Sequence, residues 1–180
     1  MAHAREAGPP QSLADRSVRL ARVRGAHLTR TRVLALSPVP EEGAGCRFRI
    51  SQYIPALAAA GFDVMVSPFF TREFFRLVYR PGHYAQKTAL FLRRSVDRLS
   101  LVLGRADYDL LFVYREAFPI GPPWLERLLA RPGCPPIVYD FDDAVFLPNT
   151  SEANRVISFL KYPHKVDTIV EKSAMVIAGN

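Results

Sequence analysis

Three carboxylates, those of Asp140, Asp142 and Asp143, crowd into four residues at the end of an apolar run. Two prolines precede the run and oppose a helix, so residues 137–141 are predicted to form a strand. Side chains alternate along a strand, which directs Asp140 and Asp142 to one face and Asp143 to the other. Like charges this close repel each other. A fold seldom accepts such a cluster without a cation, hydrogen-bond donors or a catalytic task. The aspartates could equally cap the next turn by accepting backbone N–H bonds, and the cluster alone leaves both interpretations open.

A second candidate site is the loop that contains Gly43 and Gly45, which follows an apolar run and precedes a helical pattern. Glycines let backbone N–H groups approach an anion, and a helix N-terminus favours negative charge. Arg47 and Arg49 would add two guanidinium groups suited to phosphate. The pattern matches neither Gly-x-Gly-x-x-Gly nor a Walker loop, and two preceding glutamates would repel an anion. A plain flexible loop is therefore an equal alternative.

The elements that must position these residues alternate between strand and helix. Short apolar runs predict strands at residues 33–36, 63–67, 109–114, 137–141 and 174–178. Helical patterns lie at residues 50–58, 71–80, 85–103, 124–130, 151–160 and 163–173. The sequence therefore predicts an α/β fold: a Rossmann-like, doubly wound, mainly parallel sheet with helices on both faces.

The polar residues of this pattern gather at one predicted edge of the sheet. In an open α/β sheet, ligands bind beyond the carboxyl ends of the strands. Those ends carry the two glycines, the aspartates, the pair Arg115 and Glu116, and Asn180, while the strands themselves are apolar. This convergence predicts a binding edge that includes Arg115, Glu116 and Asn180.

Composition limits the class of protein. The chain has 180 residues, of which 49% are hydrophobic, enough for one domain with a sizeable core. The cysteines, Cys46 and Cys134, lie far apart without metal-type spacing, which indicates a reducing compartment. No run is long and apolar enough to span a membrane, and no secretory signal is visible, so we expect a cytoplasmic protein. Residues 1–31 are predicted to be a basic, disordered tail, and residues 32–180 an ordered domain.

Arg72, Arg76 and Arg80 are spaced by four residues and are predicted to share one helix face. With the aromatic residues beside them, they would suit a helix that lies on the anionic inner face of a membrane. The alternative is a solvated face whose arginines extend over an apolar core stripe. Nucleic acid is not an expected partner, because no recognition module is present.

Several groups of residues occur in a distinctive order. They are Arg47-Phe48-Arg49-Ile50 with Gln52-Tyr53, Tyr108-Asp109-Leu110, Arg115-Glu116-Ala117-Phe118-Pro119, Gly121-Pro122-Pro123-Trp124, Tyr139-Asp140-Phe141-Asp142-Asp143-Ala144 and Ala178-Gly179-Asn180. In this order they resemble the amino-terminal domain of bacterial glycosyltransferases of family 4, the retaining GT-B group. The resemblance runs from about Arg32 to Asn180.

The resemblance implies half of an enzyme built from two Rossmann-like domains that face each other across a cleft. This chain would be the acceptor-side domain, truncated before the domain that binds the nucleotide-diphosphate sugar. The implied reaction moves a sugar to a glycan or lipid-linked acceptor, as in cell-envelope polysaccharide synthesis, with no metal or other cofactor. The resemblance places Gly43, Gly45, Arg47 and Arg49 in the cleft, and the fragment is expected to be inactive alone.

Many members of that group carry a histidine where this chain has Asp142 and Asp143. We expect one of these aspartates to orient or polarise the acceptor hydroxyl, with Arg115 nearby to keep it ionised. A different class of function stays open: a non-catalytic α/β module that binds an anionic ligand or a membrane surface. In that case the aspartates would be structural caps.

Overall fold

The computed structural model describes residues 30–104, 107–142, 162 and 164–179. Strands within this part of the chain form one sheet of five. They are β1 (Thr31–Ser37), β2 (Phe62–Pro68), β3 (Leu110–Tyr114), β4 (Ile137–Phe141) and β5 (Met175–Ala178). Their order across the sheet is β2-β1-β3-β4-β5, and every neighbouring pair is parallel. The predicted α/β fold with a Rossmann-like parallel sheet is confirmed.

Helices connect these strands. They are α1 (Ala44–Arg49), α2 (Ile54–Ala59), α3 (Arg72–Val78), α4 (Tyr84–Leu103), α5 (Trp124–Leu129) and α6 (Lys165–Lys172). The Thr71 hydroxyl caps α3 by accepting the Phe74 N–H at 3.3 Å, as is usual for a threonine at this position. No helix in the described ranges is both long and apolar enough to cross a membrane.

The buried side chains form two clusters because strand residues alternate between the faces of the sheet. The larger cluster joins Leu34 and Leu36 of β1 to residues of α4, α5 and α6. The smaller one joins Ala35 of β1 and Tyr114 of β3 to Cys46 of α1. The sheet is therefore covered by α1 on one face and by α4, α5 and α6 on the other.

One predicted helix differs from the observed structure, and another cannot be compared with it. The helix expected over residues 50–58 is interrupted, because a 3-10 turn at Ser51–Tyr53 separates α1 from α2. Pro55 lies at the start of α2, where its missing N–H costs nothing, but it could not lie inside a longer helix. The helix expected over residues 151–160 lies outside the described residues, as does most of the predicted tail.

Candidate functional site at the carboxyl edge

The sheet brings the aspartates of β4 beside the end of β3. Tyr114 and Asp140 are partners in the parallel register of these strands, so their side chains leave the same face. Asp142, two residues beyond Asp140, contacts Tyr114 on that face. Both carboxylates therefore lie at the edge where ligands bind in open α/β sheets, close to the point where the strand order reverses between β1 and β3.

Asp140 is held by the last residue of α1. Arg49 donates from Nε to Oδ2 at 2.9 Å and makes a second, short bond to Oδ1. A guanidinium group matches a carboxylate in this two-point geometry. Asp140 is only 2% exposed, and its hydrogen bond raises the pKa of Arg49. This pair therefore fixes α1 to the end of β4.

Asp142 accepts hydrogen bonds from two neighbours at the end of β3. The Tyr114 hydroxyl donates to Oδ2 at 2.8 Å, and Arg115 donates from Nε to Oδ1 at 2.8 Å. Burial acts to raise the pKa of Asp142, but the hydrogen bonds from Arg115 and Tyr114 outweigh it and hold that pKa below its ordinary value. The Asp142 side chain is 24% exposed. An ionised carboxylate is thus accessible at this edge.

Arg115 has an unusual backbone conformation. Its φ of 59° lies in the left-handed region, which costs a non-glycine residue about 1 to 3 kcal/mol. Its N–H donates to the Asp140 carbonyl at 2.8 Å, and its own carbonyl accepts from the Tyr139 hydroxyl at 2.9 Å. These bonds hold the strained backbone in place. The turn directs the guanidinium group of Arg115 back to Asp142.

Two glycines allow α1 and the end of β5 to approach this network. A Cβ at Gly45 would overlap the Tyr114 hydroxyl and lie 2.8 Å from the ring carbon Cζ. A Cβ at Gly179 would lie 3.1 Å from NH1 of Arg49 and 3.1 Å from Cα of Asp142. Close packing, rather than a free loop, is therefore the role the structure gives to Gly45, which lies inside α1.

Replacing Gly45 with Ala is expected to lower the free energy of unfolding by about 2 kcal/mol, because the new methyl group collides with the Tyr114 ring. Helix propensity alone predicts the opposite sign, a gain of about 1 kcal/mol. Gly104→Ala is the matched control, since a Cβ there meets only ordinary contacts at 3.7 Å. Urea denaturation measures both variants. A Gly45→Ala protein as stable as wild type would contradict the close approach.

Other predicted site residues lie elsewhere. Glu116 forms an ion pair with Lys165 of α6, which also donates to the Phe118 carbonyl at 2.9 Å. The exposed Arg47 places its guanidinium group over the Phe48 ring, 4.9 Å from the centroid. Asp143 and Asn180 lie outside the described residues.

The predicted basic face of α3 is less uniform than its spacing suggests. Arg72 pairs with Glu42, next to the glycine loop. Arg76 is exposed on α3, and Arg80 is exposed but lies beyond the last residue of that helix. The bilayer interpretation of these arginines stays a prediction.

Two arginines of α4 fix the carboxyl ends of β1 and β2. Arg94 donates to the carbonyls of Pro68 and Phe69, both at 2.9 Å. Arg98 is 2% exposed and donates to the Ser67 carbonyl of β2 at 2.8 Å and to the Ser37 carbonyl of β1 at 3.3 Å. Burial lowers the pKa of Arg98 to about 9, so its guanidinium group is still charged at neutral pH. These contacts fix the backbone where the loops leave the carboxyl ends of the two strands.

The arrangement at Asp142 favours one kind of chemistry. A carboxylate with a lowered pKa is a weak base but still a strong hydrogen-bond acceptor. Asp142 is therefore better suited to orient a hydroxyl group than to remove its proton. Arg49 and Arg115, which were predicted to bind substrate, are each paired with an aspartate. The Asp142 carboxylate therefore lies at the carboxyl edge with hydrogen bonds from Tyr114 and Arg115 already formed.

The lowered pKa of Asp142 predicts a pH dependence of stability. The folded pKa lies below the unfolded value of about 4, so the stabilisation is complete above that value and is lost as the pH falls through the folded pKa. The difference in unfolding free energy between wild type and Asp142→Asn should therefore be largest near pH 7 and shrink towards pH 3. Urea denaturation across this range measures it. An equal difference at both ends would contradict the assignment.

The described residues contain no group of three or more His, Cys, Asp or Glu side chains placed to hold a metal ion.

Comparison of the chain with protein-family models, with curated proteins and with solved structures finds no significant similarity. The case for a function therefore depends on the residues of the carboxyl edge.

Proposed function

We propose that this chain is the acceptor-side domain of a glycosyltransferase, which positions a hydroxyl of a glycan or lipid-linked acceptor for transfer from a nucleotide-diphosphate sugar. The observation that carries the proposal is the ionised, accessible Asp142 at the carboxyl edge, held by Tyr114 and Arg115. The sequence resemblance to the GT-B group supports the same reaction.

An acceptor hydroxyl is the ligand that best suits this carboxylate. A hydroxyl group donates one hydrogen bond, and Asp142 is an acceptor whose charge is already supported by Arg115. A phosphate group would be repelled by Asp142 and would compete with Asp140 for Arg49. These charges favour binding of the acceptor at the carboxyl edge of this sheet. The donor phosphates would then be bound mainly by a facing domain.

The proposal is tested on the full-length gene product that contains this chain. Purified protein is incubated with a panel of nucleotide sugars and with glycan and lipid-linked acceptors, and products are identified by mass. We expect one nucleotide sugar to give an acceptor heavier by one sugar residue, together with release of the nucleoside diphosphate. A reading frame that ends without a second α/β domain, combined with no transfer from any donor, would favour the non-catalytic binding module instead.

A further inference from the structure

The longest helix, α4, carries apolar residues on its outward face as well as on its buried face. Six exposed residues follow one another at intervals of four, three, four, three and four along this helix. They are Ala85, Ala89, Leu92, Val96, Leu99 and Leu103, named here the α4 stripe. Leu92, Val96 and Leu103 are 61%, 64% and 61% exposed, and Leu99 is 37% exposed, so the fold of one chain leaves most of three of these side chains in water.

The spacing of the α4 stripe is that of the contact line between two packed helices. An alternation of three and four residues keeps side chains on one narrow line, which is how the a and d positions of a heptad meet a partner helix. The opposite side of α4 is already used, because Val102 and Phe91 pack into the larger core cluster. The stripe is therefore a second apolar line that the described fold does not cover.

We propose that the α4 stripe docks against the same stripe of a second copy of this chain, with the two helices antiparallel about a two-fold axis. A two-fold interface requires a surface that complements itself. With the axis at position 94, each alanine is opposite a leucine: Ala85 opposite Leu103 and Ala89 opposite Leu99. Leu92 is opposite Val96 in the middle, and small residues opposite large ones let two helices interlock.

The charges beside the α4 stripe also favour a second copy. Arg93 and Asp97 lie one turn apart on the same flank, and both are exposed, although Asp97 also accepts a hydrogen bond from Arg94 of its own chain at 2.8 Å. In the antiparallel arrangement this flank meets its own copy, which brings Arg93 of one chain close to Asp97 of the other on both sides of the axis. Opposite charges beside an apolar contact line specify orientation.

The same flanks are unfavourable for a bilayer. A helix that lies on an anionic membrane has a polar face rich in Lys and Arg. Next to the α4 stripe lie Gln86, Thr88 and Ser100, with Arg93 as the one basic residue among them and Asp97 close by. A protein partner with charge of both signs therefore fits this surface better than an anionic lipid surface.

The first test is the mass of the chain in solution. Sedimentation equilibrium at micromolar concentration should give about twice the 20.2 kDa of one chain. Val96→Glu places a charge in the middle of the stripe and should weaken dimerisation by about 100-fold or more. Tyr84→Glu is the control: the residue is on α4, is 77% exposed and lies off the stripe, so its dimer should be unchanged. A wild-type monomer at 100-fold higher concentration, or an unaffected Val96→Glu dimer, would overturn the proposal.

The second test is the register. In a background with Cys46→Ala and Cys134→Ser, an equimolar mixture of Leu92→Cys and Val96→Cys chains should form an intermolecular disulfide in higher yield than either chain alone. A parallel pair would instead favour linkage of Leu92→Cys to itself and would overturn the antiparallel assignment.

A third test adds anionic phosphatidylserine vesicles to wild type and, separately, to Val96→Glu. Binding of monomeric wild type that Val96→Glu abolishes would show that a bilayer, not a second copy, covers the stripe.

Discussion

Asp142→Asn in the full-length gene product is expected to lower turnover by a factor of about 100 or more through loss of orientation of the acceptor, with little change in fold. Asparagine keeps the shape of the side chain but loses the charge that Arg115 supports and offers a weaker acceptor to a hydroxyl. Because the effect is on orientation, kcat should fall more than KM rises. Steady-state kinetics with the donor found by the product screen measure both constants, and circular dichroism checks the fold.

A matched carboxylate away from the edge separates this effect from a general change of charge. Asp63 lies near the start of β2, at the opposite end of the strand from the carboxyl edge, and its side chain is exposed. Asp63→Asn should therefore leave turnover within about two-fold of wild type. Near-normal turnover in Asp142→Asn would remove Asp142 from the proposed mechanism, whatever the control shows.

The second large effect is expected on stability. Lys165→Met should lower the free energy of unfolding by about 3 kcal/mol, because it removes one partner of a largely buried ion pair and leaves Glu116 charged beside it. Lys165 is 5% exposed, and the Phe118 carbonyl would also lose its donor. Urea denaturation at neutral pH measures the change.

Two further variants show whether the loss comes from the ion pair. Lys172→Met, at an exposed position of the same helix, should change stability by less than about 0.5 kcal/mol. The double variant Lys165→Met with Glu116→Gln should recover part of the loss, since the Glu116 charge that Lys165 balances is removed as well. If the double variant is as unstable as the sum of the single ones, Glu116 is not the group that Lys165 neutralises.

Most of the fold could be predicted from the sequence because its strands are short apolar runs between clear turn signals. The predicted strand at residues 137–141 has the same limits as β4, and the run at residues 33–36 lies inside the fully buried part of β1. The prediction of one helix over residues 50–58 was wrong. The apolar spacing is continuous across this segment, but the α-helix is not, because a 3-10 turn at Ser51–Tyr53 precedes a new helix that has Pro55 in its first turn.

The candidate site was only partly visible in the sequence, because its contacts join distant residues. That Asp140 and Asp142 share a face followed from strand alternation, and Arg115 was expected near them from the order of the strand ends. The pairing of Arg49 with Asp140 spans 91 positions, and no local pattern indicates it. Tyr114 was missed as a site residue, although its place as the last residue of β3, before Arg115, was the available signal.

The pairing of Glu116 with Lys165 was missed for a related reason. Glu116 follows Arg115 at the carboxyl end of β3, and position alone suggested that both residues bind substrate. The left-handed backbone at Arg115 turns the chain between them, so Arg115 reaches Asp142 while Glu116 reaches α6. A conformation of this kind depends on tertiary contacts and has no signature in residue type.

The most direct test of the central claim is a crystal structure of the full-length gene product with its acceptor and a nucleoside diphosphate. The proposal predicts an acceptor hydroxyl within about 2.6 to 3.2 Å of a carboxylate oxygen of Asp142, with the Tyr114 and Arg115 bonds to that group retained. An acceptor bound with no hydroxyl near Asp142, or bound away from the carboxyl edge of the sheet, would contradict it.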